Sequence, residues 1–306
     1  MDGLLVVDKP AGPTSHDVVA RMRRVLGERR VGHTGTLDPR ATGVLPLVVG
    51  RATRLARFLS ACDKAYEAEI RLGIATDTYD AGGTPVGARH DGRWPSDEDI
   101  EQALKAFRGT LSQRPPVFSA KKVGGRRSYA AARAGSRAGP DVLPAATVVT
   151  VHRLDLLSVE ADRVRLRVEC SAGFYVRSLA HDLGERLGVG AHLTALRRTR
   201  SGDLSLEEAL PLAVAERAPQ TARGALIPID GMLAGFSAIV LSEDGARRAV
   251  HGLDVRPGDI AEGAVGATAL DAVTSPLRLL DQMGHLLGIG EPGETPGLLH
   301  PSIVLV

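Results

Sequence analysis

The stretch Lys64-Ala65-Tyr66-Glu67-Ala68-Glu69-Ile70-Arg71-Leu72 decides the fold. Tyr66, Ala68, Ile70 and Leu72 fall on one side of it, and Glu67, Glu69 and Arg71 on the other. Successive side chains of a strand point to opposite faces, so this alternation predicts a strand with one face buried and one wet. Residues 163–170 repeat the pattern, with Val164, Leu166 and Val168 opposed to Arg163, Arg165 and Arg167. Residues 148–157 precede them across a turn near Ala161-Asp162. Half-buried strands joined by tight turns belong to antiparallel sheets. Residues 4–7 add a short buried strand, and 192–200 another strand-like segment.

Helical periodicity appears between these strands. Ser15 can cap a helix ending near Gly27, with Val18, Val19, Met22, Val25 and Leu26 on one face. Residues 53–59 predict a short helix, Ser96 caps one running to about 107, and another starts near 206. Residues 176–187 carry the stripe Val176, Leu179, Leu183 and Leu187 and are stopped by Gly188 and Gly190. Residues 31–43 show no period; three glycines and a proline mark an ordered loop there. The class is therefore α+β, a largely antiparallel sheet with interspersed helices. The last seventy residues change character. Short β-like pieces at 238–241, 277–280 and 286–289 and a Gly/Pro-rich end predict a small β-rich domain over 237–306, after a larger one over 1–236.

Composition narrows the function classes. With 43% hydrophobic and 24% charged residues, the 306-residue chain is ordinary for a globular protein. No apolar run is long enough to span a bilayer, and the N-terminus does not read as a secretory signal, so a cytoplasmic protein without membrane contact is expected. Cys62 and Cys170 have no metal-ligand spacing, and no P-loop lysine motif appears; neither metal nor cofactor is expected. The net charge of +2 is uneven: residues 237–306 carry −5 and the rest +7. Residues 114–137 contain seven basic residues and no acid, which suits a polyanionic partner as well as it suits a solvated loop.

Chemistry centres on Gly32-His33-Thr34-Gly35-Thr36-Leu37-Asp38-Pro39. Glycines let the backbone turn tightly or approach a ligand, and a residue before proline is held extended. Asp38 is thereby presented on a loop, although an ordinary Asp-Pro turn fits the same residues. Gly-His-Thr-Gly also matches the loop of KH RNA-binding domains, but here it precedes Asp-Pro instead of joining two helices.

Five separated segments in order resemble the TruB family of pseudouridine synthases, bacterial enzymes acting on uridine 55 of tRNA. They are Gly3-Leu4-Leu5-Val6-Val7-Asp8-Lys9-Pro10, Val31 through Pro46 around Asp38, Lys64-Ala65-Tyr66, the basic run from Arg114 to Lys122, and the pair Gly173-Phe174-Tyr175-Val176-Arg177 with Gly190-Ala191-His192-Leu193-Thr194-Ala195-Leu196-Arg197-Arg198. The likeness spans roughly residues 1–202. Arg40, Phe118 and Phe174 depart from residues common in the family, without touching a catalytic group.

The resemblance implies a pseudouridine-synthase fold followed by a PUA-like domain, and base flipping of a uridine in the T-arm of tRNA by a monomer. It implies Asp38 as catalytic carboxylate and Arg177 as its counter-ion, a pairing suited to arginine's planar, permanently charged fork. It implies Tyr66 as a stacking residue that assists proton removal from C5, with Tyr175 and Leu196 lining the same pocket. His33 is implied in flipping; Lys9, Lys121, Lys122, Arg126 and Arg127 are expected as phosphate contacts. Attack on C1′, addition to C6 and removal of the 2′ proton all remain open as Asp38's first step. A non-catalytic RNA-binding or RNA-folding protein on the same scaffold is the rival reading; intact Asp38, Tyr66 and Arg177 argue against it.

Overall fold

The computed structural model describes residues 1–118, 144–261, 270 and 273–305, together with the backbone of 122–123 and 126–127. In chain order the main elements are β1 (Gly3–Lys9), α1 (Ser15–Leu26), β2 (Val31–His33), β3 (Thr42–Val49), α2 (Ala56–Ser60), β4 (Lys64–Leu72), α3 (Asp97–Leu104), β5 (Gly109–Gln113), β6 (Thr147–Glu160), β7 (Arg163–Cys170), α4 (Val176–Leu187) and β8 (Ala191–Ser201). Then come the short helices α5 (Leu212–Arg217) and α6 (Pro219–Gly224). The chain ends with β9 (Ala238–Val240), α7 (Glu243–Val250), β10 (Leu277–Leu280), β11 (Leu286–Pro292) and β12 (Leu299–Val304).

The alternating strand lies in the middle of an 11-stranded mixed sheet. From one edge its order is Leu210–Pro211, β1, β3, β8, β4, β7, β6, β5. β4 runs antiparallel to β7 from Arg71↔Arg163 to Lys64↔Cys170, and antiparallel to β8 on its other side. β3 with β8 and β1 with Leu210–Pro211 are parallel pairs. One face of this sheet is dry. Tyr66, Ala68, Ile70 and Leu72 pack there with Val164, Leu166 and Val168, beneath Met22 of α1, Leu104 of α3 and Leu179 and Leu183 of α4. The opposite face is laced with exposed charge pairs such as Arg163–Glu69 at 2.6 Å and Arg167–Glu67 at 3.5 Å.

β1 feeds two cores through its period of two. Leu5 and Val7 enter the main core, while Leu4 joins Val48, Met232, Leu286, Ile289 and Leu305 in a second cluster. Each such buried side chain stabilises by about 1.5–3 kcal/mol, so this cluster fastens the C-terminal sheet to the main one. That sheet, ordered β9-β10-β11-β12, has a further cluster of its own around Ile239, Leu241, Leu279 and Leu299.

Several local expectations need correction. Thr14, not Ser15, caps α1, in a reciprocal pair with Asp17; the Ser15 hydroxyl is committed to Leu37 instead. The loop expected over 31–43 is strand at both ends, because β2 pairs with β3 at Val31↔Val49. The 206–209 segment is not helical, and α5 starts at Leu212. β3, α7 and β12 had no forecast in the sequence. β3 is a continuous apolar run containing Pro46, which normally argues against an inner strand. Here β8 pairs with β3 only at Thr42 and Gly43, and β2 only from Leu47 onward. The carbonyls in between are met by other donors: Arg198 Nε reaches Val44 O at 2.7 Å and Thr34 N reaches Pro46 O at 3.1 Å. Among the described residues, no helix is long and apolar enough to cross a membrane.

Candidate active site

The loop between β2 and β3 is held from three directions. The Ser15 hydroxyl at the start of α1 accepts from Leu37 N at 2.9 Å and donates to Leu37 O at 3.0 Å. Gly12 N donates to Pro39 O at 2.8 Å. Lys9 Nζ donates to Ala41 O at 2.7 Å, Pro10 O at 3.0 Å and Pro39 O at 3.1 Å. Leu37, 3% exposed, plugs the loop into the core, and Asp38 next to it faces a cavity. The fixed backbone therefore leaves the carboxylate little freedom.

Arg177, in the first turn of α4, meets that carboxylate with two nitrogens: Nε to Oδ2 at 2.9 Å and Nη2 to Oδ1 at 3.4 Å. A cation in a first helical turn opposes the helix dipole. Carboxylates compensate here, because Asp80 Oδ2 lies 3.9 Å from Arg177 Nη1 on the other side. Nη1 also donates to Thr78 O and Nη2 to Phe118 O, at 3.2 and 3.0 Å. The Asp38 side chain keeps 39% of its surface open to the cavity but is otherwise ringed by protein. That desolvation pushes its carboxyl above the usual range; Arg177 and, less strongly, Lys9 oppose the rise, and Asp80 adds to it.

The cavity holds about 250 Å³, a size suited to one base rather than a duplex, and its walls include Asp38, Tyr66, Tyr175, Arg177, Leu196 and Arg198. The period of β4 turns Tyr66 to the dry face, and burial raises its phenol's pKa, with Arg198 opposing. Tyr175 precedes α4 and is clamped through its backbone by the buried Gln113 at the end of β5. Gln113 Oε1 accepts from Tyr175 N at 2.8 Å, and Gln113 Nε2 donates to Tyr175 O at 3.0 Å. His33 does not line this cavity. It ends β2, where its Nδ1 accepts from Gly35 N at 3.4 Å and its ring stands edge-on to His16 at 5.1 Å.

The expected phosphate contact at Lys9 is a correction. Leu5, Val7 and Lys9 share the inward face of β1, so Lys9 is fully buried and its ammonium is solvated by loop carbonyls instead of facing RNA. Burial pulls its pKa down to about 8, with Asp38 opposing. Lys121 lies outside the described residues; of Lys122, Arg126 and Arg127 only the backbone is described, as a short antiparallel pairing of Lys122–Val123 with Arg126–Arg127.

Three residues were missed in the sequence. Gln113 gave no signal. Asp80 stands in the turn-rich run Asp77-Thr78-Tyr79-Asp80-Ala81-Gly82-Gly83, which the motifs do not include. It follows Tyr79, whose left-handed backbone (φ 63°) is accompanied by a stack of its ring on His181 at 3.9 Å. Arg198 was quoted only as part of a motif, yet it is one of the largest fully buried side chains, at 1% exposure.

The family model for the N-terminal domain of TruB pseudouridylate synthases matches residues 23–176, the stretch that supplies Asp38 and Tyr66. The chain belongs to the TruB family. A second TruB model, for the C-terminal domain of tRNA pseudouridylate synthase B, matches residues 177–234. That match begins at Arg177 and includes α4 and β8, so the boundary between the two TruB models cuts through a single sheet and through the Asp38–Arg177 pair. Relatives named tRNA pseudouridine synthase B include one from Solibacter usitatus, 42% identical over all of both chains, and one from Aromatoleum aromaticum, 44% identical over 95% of this chain and 89% of the relative. A chain of a Cbf5–Nop10–Gar1 complex superposes with a TM-score of 0.75 at 28% identity, over 99% of this chain and 85% of that one. As a TruB member the chain is an isomerase that converts uridine to pseudouridine.

Proposed function

We propose that this chain isomerises uridine to pseudouridine at position 55 in the TΨC loop of tRNA, with Asp38 as the catalytic carboxylate. The observation that carries the reading is the two-pronged Asp38–Arg177 pair in a base-sized cavity shared with Tyr66. The relatives' names point to tRNA as the RNA. Extruding the target costs a few kcal/mol of lost stacking. An aromatic platform such as Tyr66 or Tyr175 returns about 1–3 kcal/mol. Whether the first step is attack on C1′, addition to C6 or removal of the 2′ proton, the working species is the ionised carboxylate, and Arg177 holds Asp38 in that form against its desolvation. The bond from N1 to C1′ breaks, the uracil turns, and C5 takes N1's place. In this reading Tyr66 takes the C5 proton, Leu196 shapes the wall, and His33 assists flipping.

The basic run over 114–137, including Lys121, Lys122, Arg126 and Arg127, is read as the phosphate-binding segment. Residues 1–236 are read as the catalytic domain and 237–306 as a PUA-like module; its separate four-stranded sheet supports the division. Its charge of −5 restricts RNA contact there to a local patch. One chain supplies Asp38, Tyr66 and Arg177, in keeping with a cytoplasmic monomer.

Tritium release from tRNA labelled at uridine C5 tests the reading. Saturating enzyme should release it, and Asp38→Ala should stop release while tRNA binding stays within a few-fold. No release by the unaltered chain would sink the proposal in favour of an RNA-binding scaffold. Equal loss of binding and release in the variant would make Asp38 structural.

A further inference from the structure

We propose that Arg198 makes Tyr66 the base for the C5 proton, by holding a positive charge against the phenol oxygen to receive the negative charge formed there. The inference rests on the reading above, in which uracil rejoins the ribose through C5 beside Tyr66.

Buried charges are ordinarily matched by an opposite charge, because desolvation is costly. Arg198 is 1% exposed, yet among the described residues no carboxylate forms an ion pair with it. Nε donates to Val44 O at 2.7 Å and Nη2 to Gly35 O at 3.0 Å. These two dipoles fix the plane of the fork. The remaining partner is the Tyr66 phenol: Tyr66 is the register partner of Arg198 across the sheet and lines the same cavity, and the guanidinium's charge favours ionisation of the phenol. A phenol is the one partner of the three that can become an anion, so the cation's missing counter-charge appears when Tyr66 ionises. The guanidinium's field also reaches Lys9 and Lys64, where it helps push both ammonium groups toward neutrality.

The sheet fixes this arrangement from the backbone upward. Arg198 on β8 is the register partner of Tyr66 on β4 and of Gly43 on β3. The glycines around it leave room: a Cβ at Gly43 (φ 100°) would stand 2.1 Å from Arg198 O, and one at Gly35 would stand 3.2 Å from Nη1.

The proton balance is closed. Tyr66 starts as the phenol and gives its proton to water to become the phenolate, an ionisation that burial opposes and the Arg198 charge favours. Once C5 is bonded to C1′, the C5–H bond breaks, its proton forms the phenol O–H, and its electron pair restores the C5–C6 double bond. The C6–N1 pair moves to N1, which takes a proton from water. Arg198 stays protonated throughout, and no electrons are gained or lost overall.

The test uses single turnovers of the full chain on tRNA whose target uridine carries deuterium or protium at C5. Arg198→Met should slow conversion by about 10²- to 10⁴-fold, the range of general-base catalysis, and leave tRNA affinity within a few-fold. It should also slow the deuterated substrate several-fold more than the protiated one, by a larger ratio than in the unaltered chain. Arg198→Lys, which keeps a charge, should recover part of the rate. If Arg198→Met is slow with an unchanged isotope ratio, or is not slow, Arg198 only supports the loop and the proposal is overturned. Should Arg198→Met fail to fold, the isotope ratio of Arg198→Lys decides on the same terms: a raised ratio supports it and an unchanged one overturns it. Tyr66→Phe separates the underlying reading. Conversion by that variant at the normal rate removes Tyr66 as the base, whereas the absence of any pseudouridine from the unaltered chain removes the proposed function itself.

Discussion

The two sides of the cavity solve the cost of buried charge differently. On one side Arg177 sits between Asp38 and Asp80, so cation and carboxylates balance one another. On the other, Lys64 and Arg198, together with Lys9 beneath the Asp38 loop and outside the cavity wall, are buried cations solvated by main-chain carbonyls. Lys9 binds those of Pro10, Pro39 and Ala41, Lys64 those of Ser60 and Cys62, and Arg198 those of Gly35 and Val44. Carbonyl dipoles lower the cost of the charge without cancelling it. On the first side Arg177 opposes the rise that burial imposes on Asp38, while on the second the buried positive charge is left without a carboxylate partner among the described residues.

Arg177→Met should break this contrast most severely. It leaves two carboxylates facing each other, so turnover should fall by about 10²–10³-fold. The acid limb of kcat/KM should move to higher pH, because Asp38, already raised by burial, loses the cation that opposes the rise. Urea unfolding should show a loss of about 3 kcal/mol, the low end for breaking a buried pair, given Asp38's exposure. Unchanged stability together with an unmoved acid limb would mean that the pair does not hold Asp38's charge.

Lys9→Met sharpens the carbonyl side. Three main-chain acceptors, one of them fully buried, lose their donor, a cost of about 1–3 kcal/mol. The pH dependence carries a sign. Burial takes Lys9 from its ordinary 10.5 down to about 8, so on raising the pH the folded chain sheds this proton first. Between about pH 8 and about 10.5 the unfolded chain binds more protons, and Lys9 makes the fold gain stability with rising pH across that window. Below it the desolvation penalty is constant. Urea midpoints measured across the window should show this contribution in the unaltered chain and lack it in Lys9→Met; parallel profiles would count against a depressed Lys9. The smallest effect belongs to the wet face of the sheet. Arg163, paired with Glu69 at about half exposure, should cost only about 0.2–1 kcal/mol on replacement by Ala, with no change in turnover.

The carboxylate side was far more legible in the sequence than the carbonyl side. Asp38, Tyr66 and Arg177 stand in recognisable motifs, and the strict period of β4 gave Tyr66 its face directly. Lys9 was placed outside because lysine is seldom fully buried, and a local pattern cannot register the carbonyls of Pro39 and Ala41 thirty residues away. Arg198 escaped for a related reason: β8 shifts register against β4 between Leu193 and Ala195 and again between Arg198 and Arg200, so alternation along it does not say which face a residue takes. β3 was obscured because it is buried along nearly its whole length and shows no alternation. Asp80 depends on the turn around Tyr79, whose support from His181 on α4 is a tertiary contact.

The carbonyl grip has a consequence for descent. Every amino acid carries a main-chain oxygen, so substitutions at positions 39, 41, 44, 60 and 62 can change side chains without deleting an acceptor, provided the backbone path survives. Lys9, Lys64 and Arg198 are thus tied to the shape of the chain more than to its spelling. Asp38, Asp80 and Arg177 recognise one another by side chain and must be inherited as a set. A lineage can therefore drift around one half of the cavity while the other half stays fixed.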